Sequence, residues 1–132
     1  MNITEYEVTV ESFADRHFIK TFAKKYKTSW DTTLGLIVQE LRFIDVLFNK
    51  TIAECITDRS ANVLICKTEF KIAGTKISRH GSGNRCIVAL HKNISQVKIL
   101  LVYHKTDLGG GSETGNWKRI IKENYKEYSS LL

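Results

Sequence analysis

An α+β domain, with helices laid on one antiparallel sheet in the order β-α-α-β-β-β-α, is what this chain of 132 residues predicts. Three observations carry that expectation. Apolar residues recur at steps of three and four between residues 15 and 48. Beyond about residue 60 the period drops to two and β-branched residues take over. After Gly109-Gly110-Gly111-Ser112 the helical period returns. The length is that of one ordinary domain, so 1–132 reads as a single unit in which 109–112 is a flexible connector and 113–132 a C-terminal helix. A hydrophobic share of 42% with 26% charged residues argues against disorder.

Taken in order, Glu7 to Phe13 alternates Val8 and Val10 with polar residues and predicts a short strand. Asp15 is placed to cap a helix whose Phe18, Phe22 and Tyr26 form one apolar stripe, with Lys20, Lys24, Lys25 and Lys27 on its other flank. Thr28 and Asp31 stand at capping-box spacing ahead of a longer helix. Its buried side would hold Trp30, Leu34, Ile37, Val38, Leu41, Ile44 and Phe48. Val63 to Ala73 predicts a strand, and Thr75 to Arg79 repeats the pattern briefly before a His80-Gly-Ser-Gly-Asn84 turn. Arg85 to His91 and Val97 to His104 read as two further strands, joined at hairpin length by Asn93 to Gln96. Trp117, Ile120, Ile121, Tyr125 and Tyr128 mark the apolar side of the last helix.

Several function classes fall away. The longest apolar stretch, Ile99 to Tyr103, is far below the roughly 20 residues that span a bilayer. The acidic N-terminus without an apolar core is no signal peptide, so a soluble cytoplasmic protein without membrane contact is expected. Cys55, Cys66 and Cys86 are odd in number, far apart and without a CxxC pair, which reads as free thiols in a reducing compartment. His80, His91 and His104 lack metal-ligand spacing, and no metal or small-molecule cofactor is expected.

Charge is divided unevenly. Residues 1–60 hold 8 Lys/Arg against 9 Asp/Glu, whereas 61–132 hold 12 against 5. Within 63–105 there are 8 basic residues and one acid, Glu69. Such asymmetry implies either a polyanionic partner, with nucleic acid the first candidate, or a solvated basic surface.

Alternation would put Lys67, Glu69 and Lys71 on one face of their strand. On the last strand Val97, Ile99, Leu101 and Tyr103 would share one face, with Lys98, Leu100, Val102 and His104 on the other. Metal-free RNA cleavage needs a base for the 2′-OH, cations on the scissile phosphate and an acid for the 5′-oxygen. Histidine changes charge near neutral pH and suits such proton transfer. A simpler use of Arg85 is an ion pair with Glu69 across the sheet.

The stretch KTEFKIAGTKISRHGSGNRCIVALH, followed by QVKILLVYHKTDL, resembles the catalytic half of RelE/ParE-type toxins of bacterial toxin–antitoxin systems. The matching pieces are Asn84-Arg85-Cys86-Ile87-Val88 and Leu100-Leu101-Val102-Tyr103-His104-Lys105, and the front half fits the β-α-α opening. The resemblance, over about residues 8–108, implies a RelE-like endoribonuclease that cuts translated mRNA on the 70S ribosome and is restrained by a cognate antitoxin protein. It implies that Arg85 contacts the scissile phosphate, that His104 or Tyr103 is the terminal acid or base, with Lys105 beside them, and that Glu69 is a carboxylate base. Lys67, Lys71, Lys76, Arg79 and His80 would bind RNA. An antitoxin would cover the basic face with acidic residues, or wedge a helix against an apolar rim around Trp117. The chain departs from short members by continuing past the last strand, and Lys105 stands where a tyrosine would follow His104. Two other readings stay open: a ParE-like toxin that poisons gyrase without cutting RNA, and a non-catalytic RNA- or protein-binding module of the same fold.

Overall fold

The computed structural model describes residues 3–132. The chain runs β1 (Glu7–Val10), α1 (Ser12–Ala14), a π-helical turn (Asp15–Ile19), α2 (Lys20–Tyr26), α3 (Thr28–Leu41) and α4 (Ile44–Asn49). It continues through β2 (Ala53–Cys55), β3 (Val63–Phe70), β4 (Asn84–His91), β5 (Gln96–His104), α5 (Glu113–Asn124) and a 3₁₀ segment (Lys126–Leu131). The architecture is α+β, with five strands in the order β1-β5-β4-β3-β2. β2 to β5 pair antiparallel, but β1 runs parallel to β5 with Val8 opposite Val97, so the sheet is mixed rather than antiparallel. Alternation encodes which face a residue takes and says nothing of strand direction.

The helical front half departs from expectation in three places. Helix begins at Ser12, and Asp15 lies inside a π turn instead of capping. The turn splits the expected stripe: Phe18 joins one core cluster and Phe22 the other. Thr28 is already helical behind Lys27, whose φ is 51°, and no side-chain cap forms at the start of α3. The expected long helix breaks after Leu41, where Tyr6 N–H takes the Arg42 carbonyl at 2.8 Å outside the helical ladder. Leu47 is then buried in the core, with Phe48 half-buried against it.

β3 ends at Phe70 because Thr75 N–H closes a turn on the Ile72 carbonyl, with Gly74 at φ 86°. Residues 75–79 are therefore loop, not strand. β2, only three residues long, was invisible to periodicity and sets Cys55 opposite Cys66. The cysteines are free thiols, but these two are neighbours in space.

Two apolar cores lie on opposite faces of the sheet. One holds Phe22, Trp30, Ile37, Leu41 and Ile44 against Cys66, Cys86, Val88 and Ile99. The other packs Trp117, Ile121, Tyr125 and Tyr128 on Ile65, Ile87, Leu101 and Tyr103. Covered on both sides, β4 is buried over all its residues but the last. Burying one large apolar side chain stabilises by about 1.5–3 kcal/mol, and Trp117 and Ile121 are wholly buried. Trp117 therefore offers no exposed rim for a partner helix.

A β-bulge decides what the last strand shows to each face. Ile87 pairs with Leu101 but Val88 pairs with Ile99, which leaves Leu100 as an extra residue. Val97 and Ile99 face the α2–α4 core, whereas Leu101 and Tyr103 cross to the α5 side. The predicted single face of Val97, Ile99, Leu101 and Tyr103 is thus broken in the middle. The phenol of Tyr125 donates to the Leu100 carbonyl at 2.7 Å, satisfying a backbone acceptor at the bulge.

Candidate active site

Beyond the bulge, three strands bring one residue each into a row: Glu69 on β3 lies opposite Arg85 on β4, which lies opposite Tyr103 on β5. All three belong to the face that α5 covers further along. Arg85 Nη1 contacts Glu69 Oε2 at 3.0 Å, so the cross-sheet ion pair is formed. The same nitrogen donates to the Asn84 carbonyl at 3.1 Å, and Nη2 donates to the His80 carbonyl at 3.3 Å. The side chain is only 5% exposed, and these bonds fix its guanidinium plane.

His80 arrives from the loop between β3 and β4. Ser82 holds that loop, its hydroxyl bonding the Phe70 carbonyl at 2.6 Å and accepting the Asn84 N–H at 3.0 Å. His80 Nδ1 lies 2.8 Å from Glu69 Oε2, while 85% of its side chain stays open to solvent. A carboxylate only accepts hydrogen bonds, so Nδ1 carries a proton, and in the neutral form of the ring the lone pair is on Nε2.

A second set of contacts completes the wall. Lys67 Nζ reaches Glu113 Oε2 at 2.9 Å, and the Tyr103 hydroxyl donates to the same oxygen at 2.7 Å. Glu113 is in the first turn of α5, capped by Ser112, whose Oγ accepts the Gly115 N–H at 3.1 Å. Burial pushes the Glu113 carboxyl up, but the bonds from Lys67 and Tyr103 and the charges of Lys67 and Arg85 outweigh it and hold it below its usual value. Burial first, then the bond to Glu113, pushes the Tyr103 phenol far up, which leaves it a neutral donor.

Lys67, Glu69, His80, Arg85, Lys105 and Glu113 line one open cleft of about 360 Å³, together with Thr51, Ile52 and Glu54. Three cations, Lys67, Arg85 and Lys105, therefore face three carboxylates, Glu54, Glu69 and Glu113. The excess positive charge of residues 63–105 is not concentrated in this cleft.

Other expected site residues lie elsewhere. His104 takes the opposite face from Arg85 and Tyr103, two residues beyond the buried Val102. Its ring lies over Gly83, and its Nδ1 accepts the Thr106 N–H at 3.2 Å. Arg79 pairs with Glu40 of α3 and donates to the Glu69 carbonyl at 3.1 Å, bracing the loop from behind. Lys71 Nζ reaches the Thr75 carbonyl at 3.4 Å in its own turn, and Lys76 is exposed. Sequence reasoning missed Glu113 and Glu54. Ser112 followed by Glu113 signals a helix start, but only the three-dimensional packing of α5 reveals that Glu113 meets Lys67.

Among the described residues no three His, Cys, Asp or Glu side chains come together in a way that could hold a metal ion, and no helix is long and apolar enough to cross a membrane. No protein-family model, curated protein or solved structure matches the chain.

Proposed function

We propose that this protein is an endoribonuclease of the toxin–antitoxin type, similar in its working to RelE-like toxins, and that the Glu69–Arg85–His80 cluster does its chemistry. One observation supports this most: an exposed imidazole bonded at Nδ1 to a carboxylate that is itself held by a buried arginine. In that arrangement His80 Nε2 takes the 2′-OH proton of RNA, and the 2′-oxygen attacks the adjacent phosphorus. Glu69 orients the ring and stabilises the imidazolium that forms. Arg85 and Lys67 stabilise the charge on the pentacoordinate phosphate, and Lys105 gives a proton to the leaving 5′-oxygen. His104, on the other face, takes no part. Translated mRNA on the ribosome is the proposed substrate and an antitoxin protein the proposed restraint.

The test is primer extension on a reporter mRNA in a purified translation system. His80→Gln is expected to lower cutting by about 10²–10⁴-fold. His104→Ala is expected to leave it within a few-fold of the parent. Equal cutting by His80→Gln and the parent would sink the assignment of the base. No cutting by the parent at any concentration would sink the nuclease reading.

A further inference from the structure

On the face of the sheet opposite the candidate cleft, β2 and β3 set two thiols side by side. Cys55 and Cys66 are direct partners in the antiparallel ladder. The next pair along, Ile56 and Ile65, is joined by an Ile56 N–H to Ile65 carbonyl bond of 2.9 Å. Hydrogen-bonded and non-hydrogen-bonded pairs alternate along such a ladder, so Cys55 and Cys66 occupy a non-hydrogen-bonded position. There the Cα atoms stand about 4.5 Å apart and the side chains approach most closely. A disulfide takes Cα separations of roughly 4.4–6.8 Å, so the backbone already suits the bond.

The side chains agree with the register. Both cysteines pack into the same core, where the Cys55 thiol donates to the Thr57 carbonyl at 3.0 Å. Cys66 is wholly buried, whereas Cys55 is half-buried at the edge strand and can be reached from solvent. The third cysteine, Cys86, is wholly buried and sits opposite Thr68 and Val102.

We propose that Cys55 and Cys66 are a redox-sensitive dithiol that closes to a cross-strand disulfide when the protein meets hydrogen peroxide. The Cys55 thiolate attacks one peroxide oxygen; an S–O bond forms, the O–O bond breaks, and the departing hydroxide is protonated to water. Cys66 sulfur then attacks the sulfur of the Cys55 sulfenic acid. An S–S bond forms, the S–O bond breaks, and hydroxide leaves with the Cys66 proton as a second water. Two thiols lose two electrons in all, and the peroxide is reduced to two waters. Because Glu54 is opposite Lys67 in the adjacent ladder position, the closed form fastens the three-residue β2, one wall of the candidate cleft, to β3.

The experiment treats the folded full chain with a small excess of hydrogen peroxide, alkylates the remaining thiols after unfolding, and maps them by peptide mass spectrometry. The expected result is loss of alkylation at Cys55 and Cys66 together and retention at Cys86. A Cys55–Cys66 linked peptide should appear and vanish on reduction with dithiothreitol. In Cys66→Ser, Cys55 should instead be trapped as the sulfenic acid by dimedone. Oxidation of Cys55 to the sulfinic acid with Cys66 still alkylated would overturn the proposal. So would a crosslink involving Cys86, or no oxidation of the parent.

Discussion

Tyr103 on β5 and Glu113 on α5 are joined by a 2.7 Å hydrogen bond across the Gly109–Gly111 connector. Lys67 binds the same carboxylate oxygen, so one side chain of the last helix ties two strands of the sheet together. The bond exists because the bulge at Leu100 turns Tyr103 toward α5. Without that extra residue the phenol would point into the opposite core.

Replacing Glu113 by Gln removes the charge that Lys67 and Tyr103 share, and is expected to cost about 1–2 kcal/mol at neutral pH in a urea titration. The carboxyl is held below its usual value of 4.5, so its contribution is present above that pH and lost as the pH falls through the lower, folded value. The gap between parent and Glu113→Gln should therefore narrow on acidification below about pH 4. A gap that stays constant down to pH 2 would contradict the ion pair.

Gly83 sits at φ 77°, and a Cβ there would lie 2.5 Å from His104 Nε2. Gly83→Ala is expected to lower stability by about 2–3 kcal/mol, through backbone strain and steric conflict together. Adding His104→Ala should restore the steric part and leave the strain of about 1 kcal/mol. Thermal melts of the two single variants and the double variant separate the contributions. Strict additivity would show that the ring and the glycine do not touch.

Tyr125 is almost wholly buried and its hydroxyl is the partner of the Leu100 carbonyl at the bulge. Tyr125→Phe keeps the ring and strands the acceptor, which should cost about 1–2 kcal/mol in chemical denaturation. Amide hydrogen exchange in β5 should quicken around residues 99–102, while β3 should not change. Unchanged exchange in β5 would mean that the bulge is held by packing alone.

Much of this molecule is legible in its sequence, and what is hidden has physical causes. The runs from Arg85 to His91 and from Val97 to His104 became β4 and β5 to within a residue, because a two-residue period with β-branched side chains is a strong local signal. Lys67, Glu69, Arg85, Tyr103 and Lys105 stand out in the sequence, and the structure gathers them at one end of the sheet. His104 lies on the face away from the cleft because the residue after Tyr103 must face the other way, and no sequence count says which face holds the cleft. The bulge escaped because an inserted apolar residue among apolar residues leaves no mark on the pattern. The direction of β1 and the reach of Glu113 depend on residues far apart in the chain, and no local rule contains them.

The parallel pairing of β1 with β5 also constrains when this protein can become itself. Val8 finds Val97, its ladder partner, only after everything between them has been synthesised. The row of Glu69, Arg85 and Tyr103 needs β5 as well, and its Glu113 contact needs α5, which is made later still. Sequence-distant pairings of this kind form slowly, since loop closure precedes any reward. A nascent chain on the ribosome therefore carries no assembled cleft, and the row closes only once translation has passed α5.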